Sequence, residues 1–325
     1  MPIVAKLALL LLLAIAARAG AAPSIDRRAT RQLQELVPTA PLVLDYHGGR
    51  LLTGRGCLMV FLVWYGDFTP AQQSIIVDFL HSFNASNTAS PSTYGFWKII
   101  STYTDATSNR VKSSVRLGGQ ISVGIPLGKS LHRSDIPRVI ATALASAKLP
   151  AHQKSLYVLL TAADVAVERF CMDSCATHSY LNGSLATRGP RLPYAWVGNS
   201  ATQCPGMCAW PFALPQYGPR DSQPLVPPNA DVGMDGIVIN LALMLAGAAT
   251  NPFGDGYYQG DASVPLESGT ACTGIFGTGS YPGYPGELLV DKTSGSSYNA
   301  QGLDGRKFLL PAVWSPGLKQ CSTGF

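Results

Sequence analysis

Nine consecutive apolar residues, CLMVFLVWY at 57–65, constrain the fold more than any other stretch. A run this long, rich in β-branched and aromatic side chains, reads as a central strand buried within a sheet. TPAQQSIIVDFLHSF follows, with Thr69 as N-cap and Pro70 at the first helical position. Ile75, Ile76, Phe79, Leu80 and Phe83 then share one helical face. A second helix is predicted from Ser92, presenting Tyr94, Trp97, Ile100 and Tyr103. Strand structure interrupted by glycines is expected over 114–126, a helix capped by Ser134 after it, and buried strands at 156–162 and 194–199. Strands alternating with helices imply an α/β fold: a single layered domain whose mixed sheet is flanked by helices.

The flanking segments are of other kinds. PLVLDYHGGRLLTG reads as two short strands around a turn at Gly48 and Gly49. Nine prolines between Pro190 and Pro228 predict a long ordered loop or lobe. Asp231 and Asp235 stand at the mouth of a last apolar helix, where capping and the helix dipole suit them better than catalysis. Beyond Asn251 a Gly/Tyr-rich region predicts turns and short strands packed on the main body.

The N-terminus bears on the compartment. Lys6, eleven apolar residues (7–17), Arg18 and an A-x-A pattern ending at Ala19 or Ala21 read as a secretory signal peptide over 1–21. The run is shorter than the ~20 residues that span a bilayer. The apolar stretch 237–249 is also short and is interrupted by Asn240. A soluble secreted protein is expected, with an irregular lead over 22–40, one domain over 41–325, and no membrane span in the mature chain. Without the leader, 22 Lys and Arg face 19 Asp and Glu. No basic cluster tracks phosphates, which argues against a nucleic-acid partner. Only 13% of residues are charged and 46% are hydrophobic, a balance that suits a well-buried globule and not a disordered chain.

Seven cysteines are present. In an oxidising compartment Cys171, Cys175, Cys204, Cys208, Cys272 and Cys321 are disulfide candidates. Their pairing stays open among fifteen possibilities. Bonds between the two paired segments would staple the proline-rich lobe, and Cys272 and Cys321 would join the tail to itself. A zinc site built from the paired segments fits less well, and C-x₃-C is not the spacing of thioredoxin-like redox chemistry. Cys57 is left over as a core thiol.

No catalytic residue is assigned. No two histidines stand at metal-binding spacing, and neither a G-x-S-x-G elbow nor a P-loop lysine occurs. GDGYYQG and GTGSYPG each miss the dinucleotide fingerprint, so no cofactor is expected. A glycosidase needs two facing carboxylates, and Glu267, Glu287, Asp255 and Asp261 offer no distinguished pair. His178 suits a structural hydrogen bond better than catalysis. It belongs to a candidate ligand surface with Trp210, Tyr257, Tyr258, Tyr281 and Tyr284, aromatic residues that together with Trp196 offer a face for sugar stacking. Asn84 and Asn182 head N-x-S sequons.

Longer motifs carry a family resemblance. YHGG, VWYGDFTPAQ, RSDI, FCMDSC with THS, WVGNSATQCPGMCAWPF, PNADVGMDGIVINLA, TNPFGDGYYQG, GSYPGYPGELLVDKTSGSSYNAQGLDGRKFLLPA and the final cysteine resemble the plant EXORDIUM, or phosphate-induced protein, family. The resemblance covers the chain from about Leu42. Ala176 and Ser179 replace glycines usual in that family, and Cys57 is additional. It implies a secreted protein of the apoplast, the cell-wall space, linked to cell expansion and brassinosteroid-dependent growth. No enzymatic activity is established for the family. The partner is expected to be an extracellular or cell-wall component, and a glycan hydrolase or lectin-like carbohydrate binder is the alternative. The order of elements also resembles zincin-like folds without the metal site, because Leu243 and Met244 stand in the late helix where a ligand and a base are expected.

Overall fold

A computed structural model describes residues 41–86, 89–152, 154–183, 191–215 and 223–324. The predicted signal peptide and the lead over 22–40 lie outside the described residues.

The apolar run forms β1 (Cys57–Tyr65), the second strand of a five-stranded sheet. β2 (Ser114–Gly124) and β3 (Ser155–Thr161) flank it, both parallel to it. Beyond β3 come β5 (Leu192–Gly198), also parallel, and the edge strand β4 (Ala176–Leu181), antiparallel to β5. The order is therefore β2-β1-β3-β5-β4.

Both faces of the sheet are covered, as the unbroken apolar strands require. Leu58, Val60, Leu62 and Trp64 point to one side, against α1 (Pro70–Ser82), α2 (Thr93–Ile100) and α5 (Val232–Thr250). Phe61, Val63 and Tyr65 point to the other, against α3 (Asp135–Ala145). At the β1–β2 register shift Gly118 lies under Phe61, where a Cβ would come within 2.6 Å of the ring. β2 thus stays one strand, and the glycines expected to interrupt it mark shifts in its register against β1.

The predicted helix starts follow the sequence rules with one exception. Thr69 and Gln72 form a complete capping box on α1, and Ser92 caps α2. Ser134 makes no capping hydrogen bond on α3. Asp231 caps α5, its Oδ1 accepting from Met234 N at 3.0 Å. α5 has the length and apolarity of a membrane span, but all its residues except Val232 and Leu243 are buried in the core. A helix that packs on every side has no polar face to show. Asn240 fits this setting because its Nδ2 donates to the carbonyls of Cys208 and Gly236.

Two expectations are corrected, and the disulfide pairing left open is resolved. The proline-rich stretch is not simply a lobe: it contains β5, a fully buried strand, and the short α4 (Pro205–Cys208). Asp45–Tyr46 pairs with Tyr257–Tyr258 across more than two hundred residues and makes no local hairpin over Gly48 and Gly49. The two paired cysteine segments are cross-linked as Cys171–Cys204 and Cys175–Cys208, which ties the start of the edge strand to α4. Cys272–Cys321 joins the C-terminal region to itself, and Cys57 is free. That region is built of ladders two or three residues long, such as Val313–Ser315 with Gln320–Ser322.

Candidate ligand-binding groove

Among the aromatic residues singled out in the sequence, Trp210, Tyr281 and Tyr284 converge. Trp210 follows α4 and is held by a tight turn in which Ala209 N donates to Pro205 O and Phe212 N to Ala209 O. Its indole packs against Phe276, with ring centroids 5.7 Å apart, over a small cluster of Phe212, Ile239 and Leu309. Opposite it stands the turn Tyr281-Pro282-Gly283-Tyr284, closed by two backbone hydrogen bonds between the tyrosines. Gly283 has a φ of +93°, which a side chain would strain. The tyrosine rings lie 5.1 Å apart and project outward as a ridge.

Two cavities flank this ridge. One, of about 650 Å³, is bounded by Met207, Trp210, Ile275 and Tyr281. The other, of about 350 Å³, is bounded by Trp210, Leu214, Leu225, Tyr284 and Val290. Trp210, Pro215 and Gly283 line both, so the two form one groove with a raised middle. Met207, Leu214, Tyr281 and Val290 are exposed along it. A contiguous apolar surface with aromatic walls marks an interaction site.

The remaining candidates stand elsewhere. Tyr257 stacks on Tyr46 and donates its hydroxyl to Thr104 O, while Tyr258 stacks on His47. Trp196 is wholly buried in the sheet. Asn84 and Asn182 are exposed; Asn84 Nδ2 donates to Val115 O, and the serine of the second sequon lies outside the described residues.

His178 sits on β4 beside a separate cleft of about 350 Å³ that shares no lining residue with the groove. Its Nε2 lies 2.6 Å from Glu267 Oε2, with side chains only 10% and 8% exposed. Glu267 Oε1 accepts from Asn251 Nδ2 at 2.6 Å. His178 Nδ1 is buried without a hydrogen-bond partner. A carboxylate oxygen can only accept, so Nε2 is the nitrogen that donates to Glu267. Among the described residues no side-chain hydroxyl or thiol meets Nδ1. Gly247 of α5 allows this pair its place: a Cβ there would lie 2.9 Å from both Glu267 Oε2 and His178 Nε2. Met244, from the late-helix motif, lines the same cleft. Among the described residues no three His, Cys, Asp or Glu side chains converge as metal ligands.

Carboxylates gather instead in a polar cavity of about 560 Å³ lined by Asp78, Asp291, Asp304, Arg306 and Lys307. Asp78 pairs with Arg306, and Asp291 with Lys307. The Lys307 hydrogen bond, with backbone N–H donors, holds the Asp291 carboxyl down at about 2, the reverse of what a general acid needs. Glu287, Asp255 and Asp261 are exposed and do not line it.

Comparison with known proteins agrees over nearly the whole chain. The family model described as the phosphate-induced protein 1 conserved region matches residues 44–324. Protein EXORDIUM-like 2 of Arabidopsis thaliana is 52% identical over 89% of this chain and 92% of its own. Protein PHOSPHATE-INDUCED 1 of Nicotiana tabacum is 47% identical over 91% and 93%, and Protein EXORDIUM of Arabidopsis thaliana 47% over 90% and 93%. No solved structure matches. With a match that takes in the β-sheet, both cysteine segments and the groove, this chain belongs to the EXORDIUM, or phosphate-induced protein 1, family.

Proposed function

We propose that this protein is secreted into the plant cell-wall space and acts there without catalysis, in cell expansion and brassinosteroid-dependent growth, by binding a wall or extracellular partner through the Trp210–Tyr281–Tyr284 groove. The observation that carries the reading is the groove: an exposed aromatic surface with no acid or base among its described lining residues. The family's names point to growth. The apolar leader and three disulfides suit an oxidising, extracytoplasmic setting. Exposure of Asn84 and Asn182 suits glycan attachment on that route. The sheet, with its antiparallel edge beside the long late helix, is compatible with a zincin-like ancestry whose metal site has been replaced.

Retention on insoluble wall material tests the proposal. Secreted protein is expected to sediment with the wall, and Trp210→Ala or Tyr281→Ala is expected to lower the bound fraction at least fivefold. Equal retention of both variants overturns it. The same secreted material is expected to shift on a gel after N-glycosidase treatment, a shift absent from the Asn84→Gln/Asn182→Gln double variant. The polar cavity favours the second reading, a glycan hydrolase or lectin. That reading predicts release of reducing sugar or glycan retention that Asp78→Asn abolishes.

A further inference from the structure

We propose that the groove takes a proline-rich segment of an extracellular protein in the polyproline II conformation, an inference that rests on the groove reading above. Shape is the first argument. Two apolar cavities meet at Trp210 on either side of the Tyr281–Tyr284 ridge. A polyproline II strand has three residues per turn and rises about 3.1 Å per residue, so successive turns seat side chains about 9 Å apart. Such a ligand fills paired depressions separated by an aromatic ridge, the arrangement by which aromatic-lined grooves receive proline-rich chains.

Hydrogen-bonding capacity is the second argument and discriminates between ligand classes. Trp210 Nε1–H and the hydroxyls of Tyr281 and Tyr284 have no partner among the described residues. All three can donate. Proline lacks an N–H and offers only its carbonyl, so a proline-rich segment is dominated by acceptors. A glycan, unlike proline, also presents many hydroxyl donors, which call for carboxylate or amide acceptors. No Asp, Glu, Asn, Lys or Arg lines either cavity among the described residues, and Gln223 is the single side-chain amide. The uncharged walls also disfavour an acidic polysaccharide. A polyproline II ligand is largely preformed, so little conformational freedom is lost on seating it.

Intrinsic fluorescence gives a selective readout. Of five tryptophans, Trp64, Trp97, Trp196 and Trp314 are buried, which leaves Trp210 as the reporter. The secreted protein is titrated with decaproline, with a Gly-Ser decapeptide and with cellohexaose. Saturable change is expected with decaproline alone. Tyr281→Ala is expected to weaken it at least tenfold, and Tyr281→Phe, which keeps the ring and loses the donor, about threefold. Tyr281 is 64% exposed, so unchanged thermal unfolding is the control for folding. Absence of decaproline binding, or affinity unchanged in Tyr281→Ala, overturns the proposal. Cellohexaose binding at Trp210, or wall retention that depends on Tyr281 but resists competition by decaproline, also overturns it while the groove reading stands. Wall retention indifferent to Trp210 and Tyr281 removes the groove reading itself.

Discussion

At His178 and Glu267 the chain buries a polar contact that links three elements: the edge strand β4, the end of α5 through Asn251, and the segment ahead of Cys272. Removing one partner of a buried pair leaves the other desolvated, a loss of about 3 kcal/mol. His178→Ala is expected to lower the unfolding free energy read from urea denaturation by that amount, since Glu267 keeps only the Asn251 donor. Glu267→Gln preserves an acceptor and is expected to cost about 1 kcal/mol. Equal, negligible effects would mean the contact does not hold β4 in place. Of this pair the sequence marks only His178, by its closeness to a cysteine. Glu267 lies 89 positions away among other carboxylates, and nothing local tells it from Glu287. The groove is legible to the same degree. Trp210, Tyr281 and Tyr284 stand out as aromatic residues in Gly/Pro-rich segments, but Tyr257, Tyr258 and Trp196 stand out equally. Only tertiary packing sorts the ridge from the core.

Elements were readable where burial is uniform or amphipathic. β1, β3, α1 and α5 declare themselves through apolar runs or a 3.6-residue period, because each is covered by the main body of the protein. β4 does not: ATHSYL is an edge strand, half exposed and polar, and its pairing comes from β5. β5 is readable at Tyr194–Asn199 yet sits inside a proline-rich stretch whose composition suggests a lobe. The disulfides explain why such an edge persists. Cys171–Cys204 and Cys175–Cys208 each bridge 33 positions and clamp the open end of the β4–β5 hairpin to α4. Closing loops of this size contributes roughly 2–4 kcal/mol per bond. Cys175→Ala/Cys208→Ala is expected to lose that much and to speed amide exchange in β4 well before β1, measured by hydrogen–deuterium exchange. Uniform acceleration across the sheet would show that the bond stabilises the whole molecule and not its edge.

Across the whole molecule, stability should depend on pH through groups of opposite sign. Asp235, in the first turn of α5, is 1% exposed. Burial raises its carboxyl to about 7, with Asn229 N–H donors and, more weakly, Arg306 pulling it back and Asp231 pushing it further up. The unfolded chain releases that proton near pH 4, so between about pH 4 and 7 the folded state holds a proton the unfolded state has lost. Stability therefore falls as pH rises through this window, by up to roughly 4 kcal/mol. Asp105 and Asp291 act the other way. Hydrogen bonds from Thr107 and Thr53 outweigh desolvation at Asp105, and the Lys307 hydrogen bond leads at Asp291; both carboxyls sit at about 2. Their contribution is complete above pH 4 and is lost as pH falls towards 2. Together these place the stability maximum near pH 4, on the acidic side of neutrality. Denaturant midpoints measured from pH 3 to pH 8 should peak there, and Asp235→Asn should flatten the limb between pH 4 and 7 while leaving the acid limb intact. A variant that kept the neutral limb would assign it to another group. One that lost the acid limb would show that Asp235 communicates with Asp291 through Asn229 and Lys307.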